Sequence, residues 1–149
     1  MLTVRIHRLH PDVPIPRYET AGSVGFDLAA SEDTVVAPGA LALVRTGLVI
    51  EVPHGHFLGI FARSSTPLRR GLMVANGVGV IDEDYCGPKD EIKIQVFNFT
   101  HAPVTVARGD RIAQGLFLPV TRVEWQETGD PLREDSRGGF GSTGAASSQ

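Results

Sequence analysis

EIKIQVFNF, Glu91 to Phe99, decides how this chain folds. Ile92, Ile94 and Val96 alternate with Glu91, Lys93 and Gln95, the period-two pattern of a strand with one buried face. Working outward, HFLGIFA (His56 to Ala62) and RIAQGLFLPV (Arg111 to Val120) are apolar on both faces. That suits strands covered by a second sheet on one side and by a sheet or partner subunit on the other. LALVRTGLVIEVP and GLMVANGVGVI also read as strands, the second interrupted at Asn76-Gly77. Ten prolines and seventeen glycines cut the chain into short pieces, so the expected fold is an all-β sandwich, barrel or jelly roll. Only STPLRRG suggests a helix, of a turn or so, with Thr66 as cap, Pro67 at the first helical position and Gly71 at the end.

The 149 residues fit one domain, and 42% apolar with 21% charged residues is an ordinary soluble balance. A net charge of -3 gives no reason to expect nucleic acid or membrane as a partner. Cys86 stands alone, so there is no internal disulfide and no CxxC metal site. The start, MLTVRIHRLH, carries charges where a signal peptide needs an apolar run, and a cytoplasmic location is expected. From Glu127 onward the apolar pattern stops. Residues 1–126 are therefore read as the sandwich and 127–149 as a mobile C-terminal arm.

Four stretches could carry chemistry. In AGSVGFDLAAS, Asp27 is either a turn aspartate bonding its own backbone or a carboxylate that holds a hydrated cation. In FARSSTPLRRG, Arg63, Ser64 and Ser65 gather donors ahead of a short helix, where an anion could sit; the plainer alternative is a serine or threonine cap. In VANGVGVIDEDYCG, closely spaced glycines allow backbone to approach a flat ligand, and Asp82, Glu83 and Asp84 crowd beside Tyr85. This is a solvated acidic turn or a site where an aspartate at the end of an apolar hairpin activates water. In RGDRIAQGLF, Gln114 lies inside an apolar strand and needs partners for its amide, whether backbone, water, a metal shell or phosphate.

Read in order, AGSVGFDLAA, ARSS, NGVGVIDEDY, GDRIAQ and the closing GGFGSTG resemble the motifs of the trimeric deoxyuridine triphosphatases (dUTPases), and together they span Ala21 to Gly144. The resemblance implies a jelly-roll-like β-sandwich and a homotrimer whose active sites are shared between subunits. It implies Mg²⁺-assisted hydrolysis of dUTP to dUMP and pyrophosphate, which limits uracil in DNA and supplies dUMP for thymidylate synthesis. By the same resemblance, Asp27 holds water of the metal's shell, and Arg63, Ser64, Ser65 and Gln114 face the phosphates. Asn76, Gly79 and Ile81 frame uracil, Tyr85 packs under the deoxyribose, and Asp82 orients the attacking water. In the tail, Phe140 closes over the uracil, while Gly141, Ser142 and Thr143 reach the phosphates.

The chain departs from the family pattern twice. YCGPKDEIKIQVFN carries about three extra residues, read as a lengthened hairpin tip at Pro88-Lys89-Asp90. The tail has Asp135 where an arginine is usual, which leaves Arg133 or Arg137 to grip the γ-phosphate; Arg137 is nearer the glycines. Two rivals stand beside this reading. A dCTP deaminase would need a catalytic glutamate, for which Glu91 is the only candidate, and a non-catalytic jelly-roll module would keep the sandwich without the chemistry.

Overall fold

Ile92, Ile94 and Val96 are fully buried, as their alternation requires. The computed structural model describes residues 2–139. In chain order the strands are β1 (Ile6–Arg8), β2 (Phe26–Ala29), β3 (Thr34–Val36), β4 (Leu41–Arg45), β5 (Leu48–Ile50) and β6 (His56–Ala62). Helix α1 (Ser65–Arg70) follows, then β7 (Leu72–Val74), β8 (Gly79–Ile81), β9 (Lys93–Asn98), β10 (Val104–Val106) and β11 (Arg111–Pro119). A four-stranded sheet runs β2-β11-β6-β8 and a three-stranded one β4-β9-β7, with the pairs β1-β5 and β10-β3 completing the ladders. All pairings are antiparallel. The result is an all-β, jelly-roll-like sandwich with one short helix.

The core lies between the inner faces. Phe26, Leu28, Leu58, Ile60 and Ala113 from the larger sheet meet Val44, Leu72, Ile94 and Val96 from the smaller one. Fully burying one such leucine or isoleucine is worth about 1.5–3 kcal/mol, so these short strands are held by packing rather than by length. Buried side-chain polar groups are all satisfied among the described residues. Asn98, for example, donates to the carbonyls of Val36 and Ala102 and accepts from Thr100, joining the end of β3 to the β9–β10 loop without an orphaned amide.

The strands read as apolar on both faces are so. In β6 and β11 the inner face carries Leu58, Ile60 and Ala113, while Phe57, Phe61, Leu116 and Leu118, the alternating set, are only partly covered within one chain. Two details differ from the sequence expectation. Helix α1 ends at Gly71 in the left-handed conformation (φ 66°), as foreseen, but its N-cap residue is Ser64. Thr66 does not cap; its hydroxyl donates to the Ile112 carbonyl at 2.7 Å and pins the helix to β11. Moreover, β7 and β8 do not form a hairpin. Asn76-Gly77 joins strands of different sheets, β7 pairing with β9 and β8 with β6. Among the described residues no helix is long and apolar enough to cross a membrane.

Candidate active site

Strand β11 carries a bulge that decides what faces Asp27. Arg111 stands opposite Ala29, but the register then shifts, so that Ala113 faces Leu28 and Gln114 faces Asp27. Without the extra residue Ala113 would meet Asp27, and Gln114 would turn to the core face. Ile112 and Ala113 both point inward and are fully buried, which leaves Arg111 and Gln114 on the outer face beside Asp27. The Gln114 amide donates to the Ala62 carbonyl at 3.0 Å, so its first partner is backbone.

Asp27 is gripped from both sides. Arg63 Nε lies 2.7 Å from Oδ1 and Arg111 Nη1 lies 3.1 Å from Oδ2. Arg111 also reaches Glu19 at 3.0 Å, and Arg63 donates to the Arg111 carbonyl at 3.3 Å. Two guanidinium groups thus face two carboxylates, and the cluster is close to charge-neutral. Arg111 and Glu19 were not singled out from the sequence. The signal for Arg111 lay in RIAQ itself, where two adjacent apolar residues between polar ones mark a bulge and put both polar residues on one face.

Directly after β6, Arg63, Ser64 and Ser65 lead into α1. Ser64 makes no side-chain cap bond, so its hydroxyl is not committed to the helix. The helix is fixed at its far end instead: Arg70 Nη1 meets Asp110 Oδ2 at 2.6 Å, and that carboxylate also accepts the Ala107 N–H. The Arg70 guanidinium holds the Asp110 carboxyl below its ordinary value of 3.8. One ion pair therefore ties the helix to the turn that starts β11.

A second group of candidates gathers around β8. Asn76 lies in the Val74–Val78 turn, closed by the Gly77 N–H to the Val74 carbonyl. Its amide sits beside Gly79, where an added Cβ would come within 3.0 Å of Ile60 Cβ. Ile81 pairs with Leu58 as the last rung of the β6–β8 ladder. Asp82 follows, exposed. Tyr85 closes a turn back onto Asp82 (N–H to carbonyl, 3.2 Å), and its hydroxyl donates to the Glu91 carbonyl at 3.3 Å. The extra residues Pro88-Lys89-Asp90 are not a hairpin tip, because β8 and β9 lie in different sheets. They form a compact turn in which the Asp90 carboxylate accepts the Gly87 N–H at 2.7 Å. Glu91 is buried, its carboxylate taken by Arg45 and the Gly47 N–H, a structural role that leaves it no access to a substrate.

The two groups stand at opposite ends of one strand. Arg63 follows the last residue of β6, whereas Asp82 falls level with Phe57 near its start, one step past the Leu58–Ile81 pair. Six residues at about 3.3 Å each separate them by about 20 Å along the strand. Arg137 is exposed and joins neither group within the chain. Phe140, Gly141, Ser142 and Thr143 lie outside the described residues.

No three metal-ligating side chains converge among the described residues. Within the Asp27 cluster, the carboxylates of Asp27 and Glu19 are the groups that could hold a cation, and so sparse a donor set suits one that keeps most of its water.

The chain is an antiparallel jelly-roll-like sandwich with Arg63, Arg111 and Gln114 around Asp27. The dUTPase family profile matches residues 11–144, and the chain belongs to the dUTPase family. It is 46% identical over 144 residues to the deoxyuridine 5'-triphosphate nucleotidohydrolase of Thermobifida fusca (strain YX), covering 95% of this chain and 78% of that protein. The crystal structure of the dUTPase from Streptococcus mutans superposes with a TM-score of 0.74 at 36% identity, covering 80% of this chain and 98% of the other. The Staphylococcus bacteriophage 80alpha dUTPase G164S mutant with dUpNHpp shares the fold at a TM-score of 0.85 and 20% identity, over 97% of this chain and 100% of that one.

Proposed function

We propose that this chain is a dUTP diphosphatase that hydrolyses dUTP to dUMP and pyrophosphate in the cytoplasmic nucleotide pool. The observation that carries this reading is the bulge-set cluster of Asp27, Arg63 and Gln114, a family motif set drawn together from three separate strands or strand ends. Asn76 and the backbone of Gly79 and Ile81 receive uracil, and Tyr85 lies under the deoxyribose. Arg63, Ser64, Ser65 and Gln114 hold the phosphates. Bound with the triphosphate and reached by Asp27 through water, Mg²⁺ would offset charge on the phosphate oxygens.

Asp82 is the general base. Its carboxylate accepts a proton as water attacks the α-phosphorus. The bond from that phosphorus to the bridging oxygen breaks, and pyrophosphate leaves. Arg63 stabilises the charge that builds on the phosphate.

One chain does not complete this site, since Asp82 and Arg63 stand about 20 Å apart along β6. A homotrimer in which Asp82 of one subunit meets Arg63 of another resolves the separation. The half-covered outer residues Phe57, Phe61, Leu116 and Leu118 are what such an assembly would bury. Residues 127–149 form the arm that closes over bound nucleotide, bringing Arg137, Phe140, Gly141, Ser142 and Thr143. Ordering it costs backbone entropy that only the nucleotide contacts offset.

Purified protein with Mg²⁺ should release pyrophosphate from dUTP far faster than from dTTP, dCTP or UTP. No release from dUTP refutes the assignment, and ammonia release from dCTP would point to the deaminase.

A further inference from the structure

We propose that Glu83 is a positioning residue that holds Asp82 in place for the attack, an inference that rests on Asp82 being the base. Asp82 is the first residue beyond the β6–β8 ladder, and past it the backbone is held by the Tyr85 N–H to the Asp82 carbonyl and by the Cys86 thiol to the Glu83 carbonyl. An exposed residue just past a ladder is free to wander unless something else ties its turn. Glu83 supplies the tie. Its side chain turns away from Asp82 toward the loop before β6, where Oε2 accepts the Gly55 N–H at 3.3 Å and lies 3.1 Å from His54 Nδ1.

Arg122, at the start of the segment leading to the arm, approaches Oε1 at 4.0 Å. The side chains of His54 and Arg122 are 94% and 88% exposed, so their ionic contributions are slight. The Gly55 amide, partly buried and fixed by backbone, is the anchor. Asp82, Glu83, His54 and Gly55 line one open cleft of about 800 Å³, so the tie and the base share a wall. Of the three acidic residues in DEDY, Asp82 does the chemistry and Glu83 keeps it where the chemistry needs it.

Misplacing a reacting group by about 1 Å can cost about a hundredfold in rate. Removing the tie should therefore lower kcat while leaving binding intact. Glu83→Ala is expected to reduce kcat about tenfold, with KM and the affinity and stoichiometry for dUpNHpp within about twofold of the unmodified protein. Glu83→Gln keeps an oxygen for the Gly55 N–H and should recover most of the loss. An unchanged kcat in Glu83→Ala overturns the proposal. So does a loss of dUpNHpp stoichiometry that matches the loss of kcat, and so does a Glu83→Gln protein as impaired as Glu83→Ala. Asp82→Asn run in parallel separates the two readings. If it is fully active, the base assignment falls and Glu83 with it; if it is inactive while Glu83→Ala is normal, only Glu83 falls.

Discussion

Arg63→Ala and Asp82→Asn should each be inactive alone and active together. Along β6 the two positions lie about 20 Å apart, so a working site must take Arg63 from one subunit and Asp82 from another. In every mixed trimer, whichever variant is in the majority, one of the three sites takes both residues from intact positions. Doubly purified mixed trimers should therefore recover about one third of the wild-type activity. The contrast is large, because removing one charge-stabilising donor typically costs about 10²–10³ in kcat and leaves each parent below about one per cent. Co-expression of the two chains with different tags, double purification and measurement of pyrophosphate release from dUTP would read it. Mixed trimers no more active than the two parents combined would refute the shared site, and with it the inference from the strand's length.

Three further outcomes follow from the geometry. Of the residues lost on deleting Arg137 to Gln149, those described, 137–139, are all exposed; thermal unfolding should be unchanged while turnover collapses, and full activity would refute the closing arm. The Arg70–Asp110 pair gives an acid-dependent term. Since the folded state holds Asp110 below 3.8, its stabilisation is complete above that value and is lost as pH falls through the lower folded value. Thermal melts of Asp110→Asn should therefore fall less steeply below about pH 4 than those of the unmodified protein, and equal slopes would count against the pair. Gly115→Ala places a Cβ 2.6 Å from Phe26 Cζ and should cost about 1–3 kcal/mol by overpacking; an unshifted melting temperature would show that Phe26 yields.

Much of this was legible in the chain. The inward set Ile92, Ile94 and Val96 followed from period alone, because alternation is a local property of a half-buried strand. Gly71 ended the helix as expected, since a left-handed residue is needed there and glycine adopts it without cost from a side chain. The pairing of short strands was not legible. β7 and β8 are three residues each, and whether such strands pair with one another or with distant partners depends on core packing across the sandwich. Thr66 looked like a cap because Pro67 suits the first helical position after it, but its hydroxyl finds the Ile112 carbonyl, 46 residues away. The motifs named the candidate residues as a set, yet only the register showed that Asp27, Arg63 and Gln114 gather at one end of the sheet and Asp82 at the other. Arg111 was hidden for the same reason, and so was the contact of Glu83 with Gly55, though Glu83 itself stood out in the acidic run: each partner lies far off in sequence.

Ile112 divides β11 into two phases. From Ala113 onward the strand keeps time with β6 and the core, whereas Arg111 keeps time with Ala29 and the charged edge. Shortening the preceding Gly109–Asp110 turn by one residue and straightening the strand would keep Gln114 opposite Asp27, but it would set Ile112 opposite Ala29 and carry Arg111 off the face where it meets Asp27. The length of that turn, which also holds Asp110 against Arg70, is thereby coupled to which side chain reaches the carboxylate.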